Sequence, residues 1–304
     1  LPRAIRDVYK RQNTKTSICR IVSPTIIETT DSVTIETDRG FYNTDTEQSI
    51  LLDRSLVTHP DGTMTGDSIL YDKKRQICQA YYDVVIDNQE DKATYFGDYG
   101  YLDQANGYTY ATGRAYVMDY SEEDTLYMSA EIMEGIKRNL PPPPGATDSL
   151  EVKYTKGYHD VRLYRKDIQA IGDSVHYFSV DSLIKLFGSP ILWNDSTQLK
   201  GDTIYAHLAN DTIDRAFAWL NASSVRWLDS IKQDRVKADT IQAYFREGTL
   251  DHAFYRSNVE SRYYLIQEKA KHYYALAQVK NPQMDVYVTD DKLDHILWHG
   301  KAEG

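Results

Sequence analysis

The sequence predicts a repetitive all-β protein, and three observations support this prediction. The segment from Leu199 to Tyr264 contains one pattern twice, because LKGDTIYAHLANDTIDRAFAWLNASSVRW aligns without a gap to VKADTIQAYFREGTLDHAFYRSNVESRYY at a shift of about 37 residues. Within each copy, apolar and polar residues alternate as they do in a half-buried strand. The Gly-Asp pair that opens the first copy recurs at several other points of the chain.

The strands of this double repeat are expected to present one face to a core. Because successive side chains in a strand point to opposite faces, residues of one parity face inward and the others face outward. Polar turns at Asn210-Asp211 and Glu247-Gly248 separate the two strands of each copy. The inward set is Ile204, Ala206 and Leu208 in the first copy, and Ile241, Ala243 and Phe245 in the second.

The Gly-Asp openings place carboxylates at corresponding points of the repeats. After Gly66, the run LYDKKRQICQAYYDVVID again predicts strand, charged turn and strand, with Ile69 and Tyr71 on the inward side. Repeated acids can ligate Ca²⁺ or act in pairs in glycoside hydrolysis, but the glycine-dense turns of calcium-binding solenoids are missing. We therefore expect the following acids to bond the backbone at strand corners: Asp67, Asp98, Asp173, Asp202 and Asp239.

The chain divides into four predicted segments. Residues 1–12 carry four basic residues and no strand alternation, so we interpret them as a non-native scar, with the native start and any export signal missing. Residues 13–137 form a first β repeat block, in which Asn106-Gly107 is the strongest hairpin signal. Residues 138–150 contain four consecutive prolines and predict a linker or long loop. Residues 151–304 form a second block, and we expect its C-terminus to be cut short because it stops directly after a strand.

Three stretches of the second block need separate interpretation. Ser179-Val180-Asp181 predicts a cap for a single helical turn through Leu186. The run LIQEKAKHYYALAQVK has helix-favouring residues, but EKAKH falls where earlier units turn, so we expect a hairpin. The run MDVYVTDDKLDHILWHG predicts a second hairpin around Asp290-Asp291.

Composition narrows the classes of function. Asp and Glu outnumber Lys and Arg by 45 to 35 without a basic cluster, which makes nucleic acid an unfavourable partner. A polybasic membrane patch is absent, and no apolar run is long enough to span a bilayer. The 25 tyrosines suit half-buried strands, which combine an apolar surface with contact to water.

No catalytic or metal-binding signature is present in the sequence. The GxSxG, Walker and HExxH motifs are absent, and no histidine or cysteine has metal-ligand spacing. We therefore predict no enzyme activity, no cofactor and no metal. Cys19 and Cys78 lie in apolar strand contexts and are expected to be buried free thiols, with a disulfide in an oxidising compartment left open.

Four units of the sequence resemble the OstA-like proteins, relatives of LptA and of the N-terminal domain of LptD: GDSILYDKKRQICQAYYDVVI, DTLYMSAE, GSPILWNDSTQLKGDTIYAHL and VKADTIQAYFREGTLDHAFYRSNVES. The resemblance spans about Thr14 to Gly304 and is most specific from Ser189 to Ser261. It implies an elongated β-jellyroll, a taco-like stack of strands, that carries lipopolysaccharide through the periplasm towards the outer membrane in an apolar groove. It also implies partners: lipopolysaccharide through its lipid A acyl chains, other lipopolysaccharide-transport proteins through edge-strand pairing, and further copies of the chain joined end to end.

The same resemblance assigns the inward positions to the groove. Parity alone leaves open whether the interior is an open groove or a closed core. Two other classes also stay open, namely a carbohydrate-active β-solenoid enzyme with paired carboxylates and a purely structural β-repeat scaffold. The expected groove residues are Ile69, Tyr71, Ile204, Ala206, Leu208, Ile241, Ala243 and Phe245.

Overall fold

The regular structure of the chain is β-strand throughout the described residues. The computed structural model describes residues 4–6, 11–13, 16–29, 32–142, 149–195, 197–209, 212–267, 272–289 and 292–304. No helix occurs in these ranges, and the strand registers that they define are antiparallel. The alternation of apolar and polar residues therefore predicts the secondary structure correctly.

Two units make up the chain, Leu1–Tyr158 and His159–Gly304, and each is described by itself. The strands of the first unit are β1 (Ala4–Arg6), β2 (Arg11–Asn13), β3 (Ile18–Ile21), β4 (Thr25–Glu28), β5 (Thr34–Thr37), β6 (Arg39–Asn43), β7 (Gln48–His59), β8 (Gly62–Asp72), β9 (Ile77–Asn88), β10 (Ala93–Asp103), β11 (Tyr108–Thr112), β12 (Tyr116–Asp119), β13 (Leu126–Ser129), β14 (Ile132–Leu140) and the larger part of β15 (Leu150–Tyr164).

The second unit contains the end of β15 and ten further strands. These are β16 (Gln169–Phe178), β17 (Leu183–Phe187), β18 (Ile191–Asn194), β19 (Thr197–Lys200), β20 (Thr203–Ala209), β21 (Thr212–Trp227), β22 (Gln233–Arg246), β23 (Thr249–Gln267), β24 (His272–Thr289) and β25 (Lys292–His299).

In each unit the long strands turn a corner near their middle, which divides the sheet into two walls. In β9 the corner falls at Tyr82 and Asp83, whose φ angles are 60° and 51°, and in β21 it falls at Leu220 and Asn221, with φ angles of 59° and 49°. The ladder register shifts at the corner, as between Trp219 and Ala222, which is how a bulge bends a strand. The chain before and after each corner therefore belongs to different walls.

Wall A and wall B are defined by their strands. In the first unit, wall A contains β3, β6, β11, β14, the N-terminal halves of β7 and β9, and the C-terminal halves of β8 and β10. Wall B contains β4, β5, β12, β13 and the other halves of β7 to β10. In the second unit, wall A contains β17, β20, β25, the C-terminal halves of β16, β22 and β24, and the N-terminal halves of β21 and β23. Wall B contains β18, β19 and the remaining halves.

The two walls of a unit face each other across a buried interior. In the first unit the hydroxyl group of Tyr95 on wall B lies 3.4 Å from Oγ1 of Thr155 on β15, which pairs with wall A. In the second unit Oγ of Ser224 on wall B lies 2.9 Å from the hydroxyl group of Tyr255 on wall A. Each unit is thus a β-jellyroll built from strand-turn-strand repeats, which is the predicted fold class.

The structure refines the prediction at several elements. The hairpin at Asn106-Gly107 is confirmed, with Gly107 in the left-handed region at a φ of 57°. The pairings of β23 with β24 and of β24 with β25 confirm the last two predicted hairpins, whose turns at residues 268–271 and 290–291 lie outside the described residues.

The predicted helical turn through Leu186 is wrong. Residues 179–182 form a turn, and β17 follows it as a strand that pairs with β16 and β20. Ile184 and Leu186 are both buried on the inward side. The segment therefore follows the two-residue alternation of a strand, and the residues that resemble a helix cap do not start a helix.

The predicted linker and the division between the units lie at different positions of the chain. The predicted linker at 138–150 includes the end of β14 and the first residue of β15, and residues 143–148 lie outside the described residues. The units themselves divide between Tyr158 and His159, within β15. Within residues 1–12, β1 pairs with β4 and the first residues of β2 pair with β3.

Candidate functional site: the interior between the walls

The eight predicted groove residues all lie on the inward side of wall A. Leu208 pairs with the buried Ile213, and Phe245 pairs with Leu250, which lines the space between the walls. Since residues paired across two strands point to the same face, Leu208 and Phe245 also face inward. They are only half-buried because they lie near the ends of their strands. The other six are 0–7 % exposed: Ile69, Tyr71, Ile204, Ala206, Ile241 and Ala243.

A row of four alanines crosses the inward side of wall A in the second unit. Ala206 pairs with Ala216, Ala216 with Ala243, and Ala243 with Ala253, across β20 to β23. The row continues into Ile184 on β17. All four alanines are buried, so the interior is closed to solvent at this level. Small side chains here let the two walls pack closely, since a protein interior fills the available volume.

We call the margin opposite the corners, where the strands of both walls end, the mouth of the unit. At the mouth of the second unit, the buried Arg165 donates to Asp167 from Nε at 2.6 Å and from Nη2 at 2.9 Å. The Asp167 carboxylate also accepts a hydrogen bond from the backbone N–H of Ile213 on the other wall, at 2.9 Å. A bidentate pair with a third bond satisfies the buried charges and ties the two walls together here.

The first unit has a second charged cluster, at the ends of β14 and β15. Nζ of Lys137 lies 2.6 Å from Glu90 and 3.1 Å from Glu151, and Nζ of Lys153 lies 2.6 Å from Asp91. Burial opposes the charged form of Lys137, but the hydrogen bonds to Glu90 and Glu151 outweigh it and raise the Lys137 pKa. The cluster is therefore a set of paired ions that holds the β9–β10 turn against the neighbouring strands.

The corner acids do not bond as the sequence predicts. Nδ2 of Asn221 donates to Asp202 at 3.0 Å, and Nδ2 of Asn258 donates to Asp239 at 2.9 Å, so these acids bind side chains of the neighbouring strand rather than the backbone. The bulges expose side chains at the corner, which makes these partners accessible. Among the other three, Asp67 binds Arg54, Asp98 binds Arg114, and Asp173 binds Ser174 and faces His159.

The outward side of wall A in the second unit carries a ladder of stacked rings. Tyr244 and His252 stack with their centroids 4.6 Å apart, His252 and Tyr287 lie 6.0 Å apart, and Tyr287 and His295 lie 4.5 Å apart. Nδ1 of each histidine lies 2.8 Å from the aspartate that precedes it in the sequence. The rings shield one another across four strands, as expected for tyrosine and histidine on the wet face of a sheet.

Sequence reasoning missed the buried polar residues of the interior. Arg165 and His59 are both buried. His59 packs edge-on against Tyr71 with ring centroids 5.5 Å apart. No pattern in the sequence marks either residue, because each stands beside a turn where the alternation ends.

No family model and no curated protein matches the chain. Within the described ranges, no three His, Cys, Asp or Glu residues are grouped so that they could hold a metal ion. The same part of the chain has no helix that could cross a membrane.

Proposed function

We propose that this chain is an OstA-like carrier that binds lipopolysaccharide in the periplasm and helps to deliver it to the outer membrane. In this proposal it acts non-covalently and not as an enzyme. The observation that supports it best is the two-walled interior, in which apolar residues form continuous inward rows and the second unit has an alanine row at their centre. Acyl chains would lie between the walls, while phosphates and sugars would stay in water.

Binding in this way requires the walls to part at the mouth. The alanine row is buried within the protein, so an acyl chain would have to displace packed side chains of the opposite wall. A chain of about ten methylene groups gains about 8 kcal/mol when it leaves water, which is large enough to offset local repacking. The walls are continuous at the corners, so the mouth is the margin at which they would separate.

Partner proteins would join through strand edges. β25 pairs with β24 from Gln283 to Thr289, and Glu303 forms a bridge with Lys280. Between His272 and Val279, β24 pairs with β23 on one side only, within the described ranges. Such an edge offers backbone donors and acceptors to another strand. We propose that lipopolysaccharide-transport proteins, or a further copy of this chain, pair there.

Photo-crosslinking with lipopolysaccharide tests the carrier function. A benzophenone amino acid placed at Phe245 or Leu208 would probe the interior from the mouth, and both positions are half-buried and tolerate a large side chain better than the buried alanines do. Tyr205 and Gln242 on the outward side are matched controls. We expect crosslinks at Phe245 and Leu208 but not at the two outward positions.

A closed structural scaffold is the second candidate, and the burial of the alanine row favours it. If folded protein gives no crosslink at any of the four positions, the scaffold replaces the carrier. Equal crosslinking at inward and outward positions would also contradict the carrier, because it would indicate non-specific adsorption of the lipid.

A further inference from the structure

A two-part pocket lies between the walls at the mouth of the second unit, apart from the alanine row. Its outer part has a volume of about 280 Å³, and its inner part has a volume of about 30 Å³. Thr197, Arg226, Leu250 and Val288 line both parts, so the two are continuous. The outer volume is close to the lower limit of small-molecule pockets, about 300 Å³, and the inner one holds about one water molecule or one hydroxyl group.

Wall B supplies the charged groups of this pocket. Thr197 pairs with Arg226, and Arg226 pairs with Asp234, so the three form one row on the ends of β19, β21 and β22. Asp234 is only 5 % exposed, and its carboxylate accepts one hydrogen bond from the backbone N–H of Tyr264 at 2.9 Å. Burial raises the pKa of Asp234, against the opposing effects of the Tyr264 N–H group and of Arg226.

Three hydroxyl groups complete the inner part. The hydroxyl groups of Ser224 and Tyr255 hydrogen-bond across the walls at 2.9 Å, and Tyr255 also hydrogen-bonds with Tyr263. Burial is the main cause of the raised pKa values of both tyrosines, so they stay neutral and can both donate and accept. Wall A adds an apolar side through Leu250 and Val288.

The mixture of groups indicates the charge of the ligand. An anion would meet Asp195 in the outer part and Asp234 in the inner part, and a cation would meet Arg226, which lines both parts. A neutral molecule with several hydroxyl groups avoids both conflicts, because it can donate to the carboxylate and accept from the guanidinium. The apolar side suits the C–H face of a ring, and the buried polar groups would discriminate strongly against a ligand that lacks hydroxyls.

We propose that this pocket binds a neutral sugar ring of about monosaccharide size, with one of its hydroxyl groups in the inner part between Asp234, Tyr255 and Tyr263. The ring lies in the outer part against Leu250 and Val288, and Arg226 donates to a ring or hydroxyl oxygen. This site binds a sugar ring and not an acyl chain, although both ligands would enter between the walls at the mouth. It is a second, separate function of the same interior.

Saturation-transfer NMR on the full chain tests the site. The probes are methyl glucoside, galactose, mannose and N-acetylglucosamine as neutral sugars, with glucosamine and glucuronate as charged controls. We expect millimolar binding of at least one neutral sugar and weaker binding of its charged counterparts. Tyr263→Phe removes one hydrogen bond to the ligand, and Asp234→Asn replaces a charged acceptor with a weaker neutral one, so each should weaken the binding about tenfold.

Tyr95→Phe is the matched control, because Tyr95 is also a buried tyrosine with a hydroxyl–hydroxyl contact, but it lies in the first unit. Sugar binding should be unchanged in this variant. The proposal is overturned if folded protein binds none of the neutral sugars, if it binds the charged ones equally well, or if Tyr263→Phe binds as the parent does. If Asp234→Asn does not fold, the sugar binding of Tyr263→Phe and Thr197→Val tests the proposal instead. Sugar binding without lipid crosslinks would leave this site intact and remove only the carrier function.

Discussion

Asp285, a nearly buried carboxyl group on wall A of the second unit, is bound by two basic side chains. Arg256 donates to one carboxylate oxygen at 2.6 Å, and Nε2 of His299 lies 2.8 Å from the other. Burial raises the pKa of Asp285, but the hydrogen bonds from Arg256 and His299 outweigh it, and the net pKa is lowered. A carboxyl group with a lowered folded pKa stabilises the fold above its unfolded pKa and loses this effect as the pH falls through its folded pKa.

Asp285→Asn should therefore lower the free energy of unfolding by about 2 kcal/mol at neutral pH, because Arg256 loses a charged acceptor. The difference from the parent protein should disappear in strong acid, below the folded pKa, where both proteins carry a neutral group. Urea unfolding at both pH values measures it. Asp294→Asn is the control, since the Asp294–His295 pair is exposed and should contribute less than about 1 kcal/mol. A pH-independent loss would contradict this account.

The two cysteines share one inward row of wall A but are four strands apart. Cys19 pairs with Tyr42, Tyr42 with Ser49, Ser49 with Tyr71, and Tyr71 with Cys78. At a strand spacing of about 4.8 Å the two Cα atoms lie about 19 Å apart, far beyond the reach of a disulfide.

Both thiols should therefore stay free even under oxidising conditions. Cys19 and Cys78 are 6 % and 1 % exposed, and burial raises the pKa of the Cys78 thiol, which suppresses the reactive thiolate. Ellman's reagent should label neither in native protein and both in urea. A disulfide-linked peptide found by mass spectrometry after oxidation would show that the register of wall A is wrong.

At the scale of elements, the corner is a feature that both copies of the repeat share. Leu220 and Asn221 correspond to Ser257 and Asn258 at the repeat shift, and all four have positive φ angles between 49° and 62°. Asn is one of the few residues that tolerate this conformation. The hydrogen bond from Asn258 to Asp239 repeats the one from Asn221 to Asp202.

Asn258→Ala should therefore lower the free energy of unfolding by about 1–2 kcal/mol, since alanine is strained in the left-handed region and cannot reach Asp239. Asn258→Gly should lose less, because it removes the hydrogen bond but relieves the strain. Thermal unfolding followed by circular dichroism compares the two variants. Equal losses in both would mean that the hydrogen bond, and not the backbone conformation, determines the corner.

Much of the fold follows from parity, but the corners do not. Alternation predicts the strands and the inward set, including Leu208 and Phe245. The corner at Leu220 carries no signal, because a leucine that is 61 % exposed with a positive φ looks like any strand residue in the sequence. Its conformation is imposed by the neighbouring strands, which pair on both sides of the bulge.

At the scale of the whole molecule, the sequence identifies which residues face the interior but not how the interior is filled. Parity places Ala206 and Ala243 inside, yet the four-alanine row depends on Ala216 and Ala253, which join it only through the register of β21 and β23. Asp234 did carry a signal, because it shares its parity with Val236 and Ala238, which are buried. A charged residue on the apolar parity of a strand indicates a polar site within the core.

Because the walls pack against each other within each unit, the stability of each unit can be tested by a substitution in its own interior. A Cβ atom on Gly135 would clash with the hydroxyl oxygen of Tyr95 and would lie 2.8 Å from Cζ of its ring, across the interior of the first unit. Gly135→Ala should therefore lower the free energy of unfolding of that unit by about 1–3 kcal/mol. Tyr95→Phe added to this variant removes the closer clash and should restore part of the loss.

The tryptophans allow the unfolding of the second unit to be followed separately in this experiment. All four tryptophans lie in the second unit, namely Trp193, Trp219, Trp227 and Trp298. Their fluorescence therefore reports the unfolding of the second unit, whereas far-ultraviolet circular dichroism reports the strands of both units. In Gly135→Ala, the circular dichroism transition should begin at lower urea, while the fluorescence midpoint should move less. If both probes shifted together by the same amount, the two units would unfold as one cooperative system, and the loss would not be confined to the first unit.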